Sequence, residues 1–254
     1  KGQPPALPMN QICPQNPIDL SVVVPVFNER DNLAALVKEI VSALRGHVAF
    51  EVIYVDDHSA DDSPQVLAAL RSEFPELRIL RHDRQSGQST AIRTGAKAAR
   101  GAWIATLDGD GQNDPADINR LLLARDAASS QIKLFAGWRV QRQDNASKRW
   151  ASRWANAIRS RMLHDDTPDT GCGIKLFERA AFLDLPYFDH MHRYLPALMQ
   201  RAGWDTVSIP VNHRSRSSGV SKYNNLQRGW VGLRDLRGVA WLITRSRLTR
   251  VEEL

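Results

Sequence analysis

The chain has 254 residues, 43% of them hydrophobic, and a formal net charge of +6 at pH 7. This hydrophobic content is enough for a sizeable core and excludes a fully disordered chain, while the positive charge favours anionic partners. Two cysteines, Cys13 and Cys172, are too few for a disulfide framework, and no apolar run reaches the roughly 18 residues that a membrane span needs. The first 15 residues lack the apolar centre of a signal peptide, so we expect a cytoplasmic protein.

Strand and helix signals alternate along the first half of the chain. Short apolar, β-branched runs are separated by segments in which apolar residues recur with the 3.6-residue period of a helix. This alternation predicts an α/β fold with a mainly parallel sheet and helices on both faces. The predicted strands are 20–26, 51–55, 77–81, 103–107, 133–138 and 206–211, and the predicted helices are 33–44, 63–74, 90–99, 148–163 and 193–202.

Polar or glycine-rich loops follow each of the first four predicted strands. They begin at Asn28, Asp56, Arg84 and Asp108. Ligands of open α/β sheets bind beyond the carboxyl ends of the strands, and parallel strands bring those ends to one edge. The four loops therefore predict a binding site along this edge of the sheet.

The most informative loop follows the fourth strand. It carries Asp108 and Asp110 one residue apart, with Gln112 and Asp114 close behind. Hard oxygen ligands without Cys or His suit Mg²⁺ or Mn²⁺, and a cation held by one or two carboxylates completes its shell with substrate phosphates. The loop predicts chemistry on a phosphorylated substrate, although Asp and Gly are also the commonest turn residues.

Six motifs in this order resemble family 2 glycosyltransferases of the GT-A fold, in the branch that transfers sugars to polyprenyl phosphates. The resemblance runs from about Leu20 to about Tyr223 and implies a GT-A (Rossmann-like) domain over residues 19–224, after a flexible segment over 1–18. The motifs are VPVFNE from Val24, VDDHS from Val55, Gly87-Gln88, DGDGQ from Asp108, DTGCGIK from Asp169 and GVSKY from Gly219.

The resemblance implies a nucleotide site that uses the ends of the first four strands. Phe27 stands where relatives usually have Tyr, so stacking on the base is kept while a hydroxyl contact is lost. Gln88 is the residue seen in bacterial members that use UDP-sugars, which favours UDP over GDP. The implied nucleotide-binding residues are Pro25, Phe27, Glu29, Asp57, Gly87, Gln88 and Asp108.

The resemblance also implies an inverting, metal-dependent transfer. Asp108, Asp110 and Gln112 are expected to hold Mg²⁺ or Mn²⁺ against the diphosphate. Because a lipid monophosphate is already ionised at neutral pH, no strong general base is required. The implied catalytic residues are Asp169, Asp110 and Lys175, and those for the acceptor phosphate or diphosphate are Arg214, Arg216, Ser221 and Lys222.

Simpler interpretations stay open for several of these residues. Asp169, before Thr170-Gly171, is also typical of an ordinary turn, and Asp169 itself could orient, link to metal or act as a base. Arg214 and Arg216 could be solvated surface charges. For His192 and His213 we favour packing or surface hydrogen bonds over catalysis, and for Cys172 we favour packing over a role as nucleophile.

The residue pattern over 225–254 predicts amphipathic helices that serve either a membrane interface or oligomerisation. Leu226, Trp230, Leu233, Leu236, Ala240 and Ile243 form an apolar stripe among arginines, which suits an interfacial helix or a helix packed on the domain's own core. Gly229, Gly232 and Gly238 favour two short helices over one long one. A second basic cluster spans residues 139–161.

We therefore predict a transferase that moves a sugar from a nucleotide-sugar to a polyprenyl phosphate, peripherally bound at the cytoplasmic face of the inner membrane. Its product would serve as a sugar donor for envelope glycan or lipid modification, and homo-oligomers are possible. The alternative is a family 2 transferase acting on a sugar hydroxyl. Nucleic-acid binding is disfavoured, because the acidic loops lie at the predicted binding edge and no recognised motif is present.

Overall fold

The computed structural model describes residues 17–139, 159–163, 165, 167–212, 214, 225–247 and 249, without the side chains of 225–230. Seven strands form one sheet. The strands are β1 Leu20–Val26, β2 Phe50–Asp56, β3 Leu77–Arg81, β4 Trp103–Thr106, β5 Ile132–Arg139, β6 Lys175–Glu178 and β7 Asp205–Val211. The helices are α1 Arg30–Leu44, α2 Ser63–Glu73, α3 Gln88–Ala98, α4 Asp117–Asp126, α5 Arg179–Leu183, α6 Leu195–Arg201 and α7 Asn225–Thr244.

The strand order is β3-β2-β1-β4-β6-β5-β7. All neighbouring pairs are parallel except the two made by β6, which runs antiparallel to β4 and β5. The predicted mainly parallel α/β sheet is confirmed. The sequence did not predict β6, because four residues are too few to establish an alternating pattern, nor α4, in which polar and apolar residues are equally numerous.

Both faces of the sheet are covered, which explains the continuous apolar runs of the central strands. Along β1, Val22 and Val24 join the core beneath α1, α2 and α4, while Val23 joins the core beneath α3, α6 and α7. The helices packed on both faces therefore hold the ends of the strands in fixed positions. Of the helix predicted over 148–163, the structure describes only residues 159–163, which are helical.

The C-terminal segment forms one helix, α7, rather than the two short helices expected from its glycines. Leu236 and Val239 are buried on the domain, and the Arg201 Nε–H donates to the Leu242 carbonyl at 2.9 Å. These tertiary contacts outweigh the weak helix propensity of glycine. Trp241 is 59% exposed, and no helix in the described ranges is long and apolar enough to cross a membrane.

The predicted apolar stripe divides between the core and the surface. Leu236, Ala240 and Ile243 pack on the domain, as the core-packing alternative expects, whereas Leu233 is exposed. The exposed apolar side chains of α7 are Val231, Leu233 and Trp241. The side chains of the stripe's first two members, Leu226 and Trp230, lie outside the described residues.

Candidate active site

The loops that carry the predicted motifs meet at the carboxyl edge of the sheet. Asp108 follows β4, and Arg139 ends β5. Because β6 is antiparallel, its first residue, Lys175, pairs with Thr106 at the end of β4. The DTGCGIK segment therefore enters the sheet beside the loop that follows β4.

The Asp57 carboxylate holds the loop between β3 and α3 through hydrogen bonds. Its Oδ1 accepts the Ser86 N–H at 2.8 Å and lies 2.7 Å from His82 Nδ1, while its Oδ2 accepts the Gly87 N–H at 2.8 Å. His82 in turn contacts the Thr94 hydroxyl on α3 at 3.0 Å. The carboxylate thus sets the position of the loop leading to α3.

The loop after β1 is attached to the loop after β2. Asn28 adopts a left-handed backbone with φ of 55°, and its Oδ1 accepts the Ala60 and Asp61 N–H groups at 2.7 and 3.3 Å. Glu29 accepts a hydrogen bond from Asn32 Nδ2 at 2.9 Å. Pro25 lies in β1 and Phe27 follows it, and both are half-buried at the edge.

The loop after β4 brings its two carboxylates into electrostatic contact. Asp110 Oδ1 accepts the Gln112 N–H at 3.1 Å, and Gln88 Nε2–H, from the start of α3, donates to Asp108 Oδ1 at 2.8 Å. Although Asp108 keeps some solvent contact, burial and then the charge of Asp110 raise the pKa of its carboxyl. The carboxylates of Asp108 and Asp110 are therefore close enough to interact electrostatically.

This donor set fits a divalent cation. A cation would relieve the repulsion that raises the pKa of Asp108, and carboxylate oxygens are the ligands that Mg²⁺ and Mn²⁺ prefer. The described residues contain no group of three or more Asp, Glu, His or Cys side chains able to hold a metal. Two carboxylates with an amide, completed by substrate oxygens, match the way proteins bind Mg²⁺.

A buried ion pair stands next to this loop. Asp169 is 4% exposed and receives two parallel hydrogen bonds from Arg139, from Nε at 2.6 Å and from Nη2 at 2.9 Å. This bidentate geometry fixes both side chains. The sequence placed Arg139 only within a basic cluster, although its position at the end of a strand on the binding edge was a usable signal.

The residues that follow Asp169, up to Lys175 at the start of β6, lie close to Asp108. Lys175 is buried and donates from Nζ to the Cys172 carbonyl, and burial lowers its pKa even though Cys172 and then Asp108 raise it. Gly173 lies against the Asp108 carboxylate, where an added Cβ would come 2.7 Å from Oδ1 and closer to Oδ2. Sequence reasoning missed this requirement for glycine, because the two residues are far apart in the chain.

Arg214 lies at the rim, with its guanidinium already paired. It contacts Glu39 on α1 at 2.5 Å and Asp114 at 2.8 Å, and its N–H donates to the Gln112 carbonyl at 3.0 Å. Arg214 thereby links α1 to the loop that follows β4. The other predicted acceptor residues, Arg216, Ser221 and Lys222, lie outside the described residues, as does His213.

The chain matches the family model "Glycosyl transferase family 2" over residues 21–185. It is 33% identical over 221 residues to a dodecaprenyl-phosphate galacturonate synthase of Rhizobium johnstonii, covering 83% of this chain and 63% of the relative. It is 34% identical to an undecaprenyl-phosphate 4-deoxy-4-formamido-L-arabinose transferase of Pseudomonas aeruginosa, covering 83% and 62%. The chain thus spans less than two thirds of the length of these relatives.

Solved structures support the same assignment of the fold. Glucosyl-3-phosphoglycerate synthase from Mycobacterium tuberculosis, in complex with Mn²⁺ and UDP-glucose, has a TM-score of 0.67 at 17% identity, covering 89% of this chain and 79% of that chain. At this identity the likeness concerns the fold alone, and it confirms the predicted GT-A fold. The family match and the relatives together show that the chain belongs to glycosyl transferase family 2.

Proposed function

We propose that the chain transfers a sugar from a nucleotide-sugar to a polyprenyl phosphate, with inversion at the anomeric carbon. The observation that carries the proposal is the convergence of Asp108 and Asp110 with Lys175 and the Arg139–Asp169 pair at one edge of the sheet. Relatives named as polyprenyl-phosphate sugar transferases support the acceptor class.

The nucleotide occupies the half of the edge formed by β1, β2 and α3. Phe27 and Pro25 flank the base, and the position of Gln88 favours UDP over GDP. Asp57 acts on the nucleotide through the loop it holds, because both of its oxygens already accept hydrogen bonds from Ser86 and Gly87. Glu29 lies beside this pocket and serves the ribose.

Asp108, Asp110 and Gln112 would hold Mg²⁺ or Mn²⁺. When bound, the cation neutralises the charge that builds on the departing diphosphate. Gln88 links Asp108 to the first turn of α3, so the metal ligands and the nucleotide loop keep a common position.

The acceptor phosphate attacks the anomeric carbon directly. Because the phosphate is already ionised, Asp169 need not remove a proton. Its bidentate contact with Arg139 suits it instead to orienting that guanidinium toward anionic oxygens. Lys175, Arg214, Arg216, Ser221 and Lys222 supply the remaining contacts to the acceptor phosphate and the diphosphate.

Helix α7 brings the protein to the lipid at the cytoplasmic face of the inner membrane. Its outer surface combines Val231, Leu233 and Trp241 with the exposed side chains of Arg234 and Arg237. Aromatic and aliphatic side chains with neighbouring cations suit the interface of an anionic bilayer. The association is peripheral.

The deciding experiment measures release of UDP or GDP from a panel of nucleotide-sugars with Mn²⁺, with and without undecaprenyl phosphate in detergent. We expect release that requires the lipid phosphate and is lost in Asp110→Ala. Asp126→Ala, an exposed carboxylate on α4, is the matched control and keeps full activity. Slow hydrolysis of a donor that the lipid does not stimulate would contradict the proposal and favour the sugar-hydroxyl acceptor.

A further inference from the structure

His192 lies against the first turn of α3. It belongs to the short 3-10 helix Met191–Arg193, and its Nδ1 is 2.7 Å from the hydroxyl of the buried Ser89. The His192 backbone N–H donates to the same hydroxyl oxygen at 3.3 Å. Two contacts with one side chain hold both the ring and its backbone beside the start of α3.

The contacts with Ser89 and the charges around the ring favour one tautomer of His192. Ser89 Oγ accepts the backbone N–H, so its own hydrogen is available to donate to Nδ1. Burial, followed by the charges of Lys175, Arg193 and His190, holds the pKa of His192 well below its usual 6.5. A neutral ring that accepts at Nδ1 carries its proton at Nε2.

The Nε2–H group is a donor to which the described part of the chain offers no acceptor. The charged groups that act on the ring, Lys175 on β6 and Arg193 and His190 on its own segment, are donors or cations. An anionic oxygen is the partner that suits such surroundings. From the sequence, His192 was expected to serve packing or surface hydrogen bonds, and its Nε2–H group is a donor that neither role uses.

The location of the ring identifies the ligand. The first backbone N–H groups of a helix have no partner within the helix and attract anions, and Ser89 belongs to that turn in α3. The preceding residue, Gln88, contacts the metal-binding Asp108, and Lys175 acts on both Asp108 and His192. His192 therefore borders the position of the nucleotide's diphosphate.

We propose that His192 donates a hydrogen bond from Nε2 to an oxygen of the diphosphate of the nucleotide-sugar, and that Ser89 is the positioning residue that fixes this tautomer. The inference rests on the proposed function, because it requires a nucleoside diphosphate at the carboxyl edge. Under this proposal, His192 binds the nucleoside diphosphate, which is the group that departs during transfer.

A pair of amide substitutions tests the role of each ring nitrogen. The side-chain amide of His192→Asn reaches the position of Nδ1 and keeps the contact with Ser89, but supplies no donor at Nε2. The longer side chain of His192→Gln places its amide near Nε2. Binding is measured by titration calorimetry with Mn²⁺, using UDP and GDP and the matching monophosphates, and turnover is measured alongside.

We expect His192→Asn to bind the diphosphate about tenfold more weakly, which is about 1.4 kcal/mol, and the monophosphate unchanged, because only the diphosphate loses a hydrogen bond to a charged oxygen. His192→Gln should stay within about threefold of the wild type. Ser89→Ala, which releases the tautomer without touching the ligand, should lie between them and serves if a His192 variant does not fold.

Equal losses for diphosphate and monophosphate in His192→Asn, or none, would overturn the inference while leaving the proposed function intact. A wild-type protein that binds neither UDP nor GDP would reject both. A loss in His192→Asn confined to the diphosphate, with an unchanged melting temperature, supports the contact over a merely structural role.

Discussion

Two carboxylates at opposite ends of the same sheet have opposite electrostatic surroundings. Glu51, at the amino end of β2, is 2% exposed; burial alone would raise its pKa, yet bonds from the Arg100 N–H, Arg78 and Ser21 lower it. Asp108, beyond the carboxyl end of β4, has its pKa raised by burial and then by Asp110. Protein partners compensate the charge of Glu51, whereas under the proposed function an external cation compensates that of Asp108, so we expect the amino end to serve stability and the carboxyl end to serve function.

The largest effect is expected from removing the charge of Asp108. Asp108→Asn should reduce sugar transfer about a thousandfold, since it weakens a metal ligand needed to stabilise the departing diphosphate. A carboxyl whose pKa is raised in the folded protein destabilises the fold as the pH rises above its ordinary value of 3.8. Because Asp108→Asn removes this carboxyl, the free energy of unfolding at pH 7 should stay equal or rise. Chemical denaturation and turnover measure the two quantities, and a strongly destabilised variant would contradict the comparison.

The opposite result is expected at the other end of the sheet. Glu51→Gln should lose about 1–3 kcal/mol of unfolding free energy, since a buried carboxylate paired with Arg78 at 2.5 Å is replaced by a neutral amide. A lowered pKa stabilises the fold above the ordinary value of 4.5 and loses that contribution as pH falls. The difference from wild type should therefore be largest near pH 7 and shrink in acid, with transfer activity unchanged in the folded fraction.

A smaller effect is expected where the backbone of Gly173 lies against Asp108, the proposed metal ligand. Gly173→Ala places a methyl group against the Asp108 carboxylate and should weaken Mn²⁺ binding about tenfold, from about 1–3 kcal/mol of overpacking. Gly171→Ala is the matched control, because its Cβ would meet Arg139 Nη2 only at 3.3 Å. Mn²⁺ titration by electron paramagnetic resonance compares the two variants, and equal affinities would remove Gly173 from the site.

The smallest effect is expected far from both ends, on α7. Gly238→Ala adds a methyl group where nothing lies within 4 Å, so it should raise the unfolding free energy by about 0.5–1 kcal/mol through helix propensity. Thermal melting measures this gain, and transfer activity should not change. A loss of stability would indicate that α7 is less regular around Gly238 than the structure describes.

The sequence predicted the elements that local patterns define. The strands β1, β2 and β4 are recognisable because burial on both faces leaves mostly apolar runs, and polar residues proposed for the site follow in the loops after them. The four residues of β6 and the single helix α7 were not predicted, because neighbouring strands and helices, rather than their own periodicity, stabilise them.

The contacts within the site needed the structure. Arg139 and Asp169 are 30 residues apart, Gln88 and Asp108 are 20 apart, and Ser89 and His192 are 103 apart. Composition and motif spacing cannot predict which of these distant side chains contact each other. The motifs predicted residues for one edge of the sheet, while the partner of each side chain, such as Arg139 for Asp169, came from the structure.

The reversed direction of β6 has a consequence for protein engineering. The segment 169–174 precedes its strand, and it reaches the edge without passing through a helix or crossing the sheet. Its six residues run from the Arg139 contact at one end to the ladder beginning at Lys175 at the other. Exchanging residues 170–174 between related transferases would change this side of the proposed site while Asp169 and Lys175, the two anchor points, stay in place.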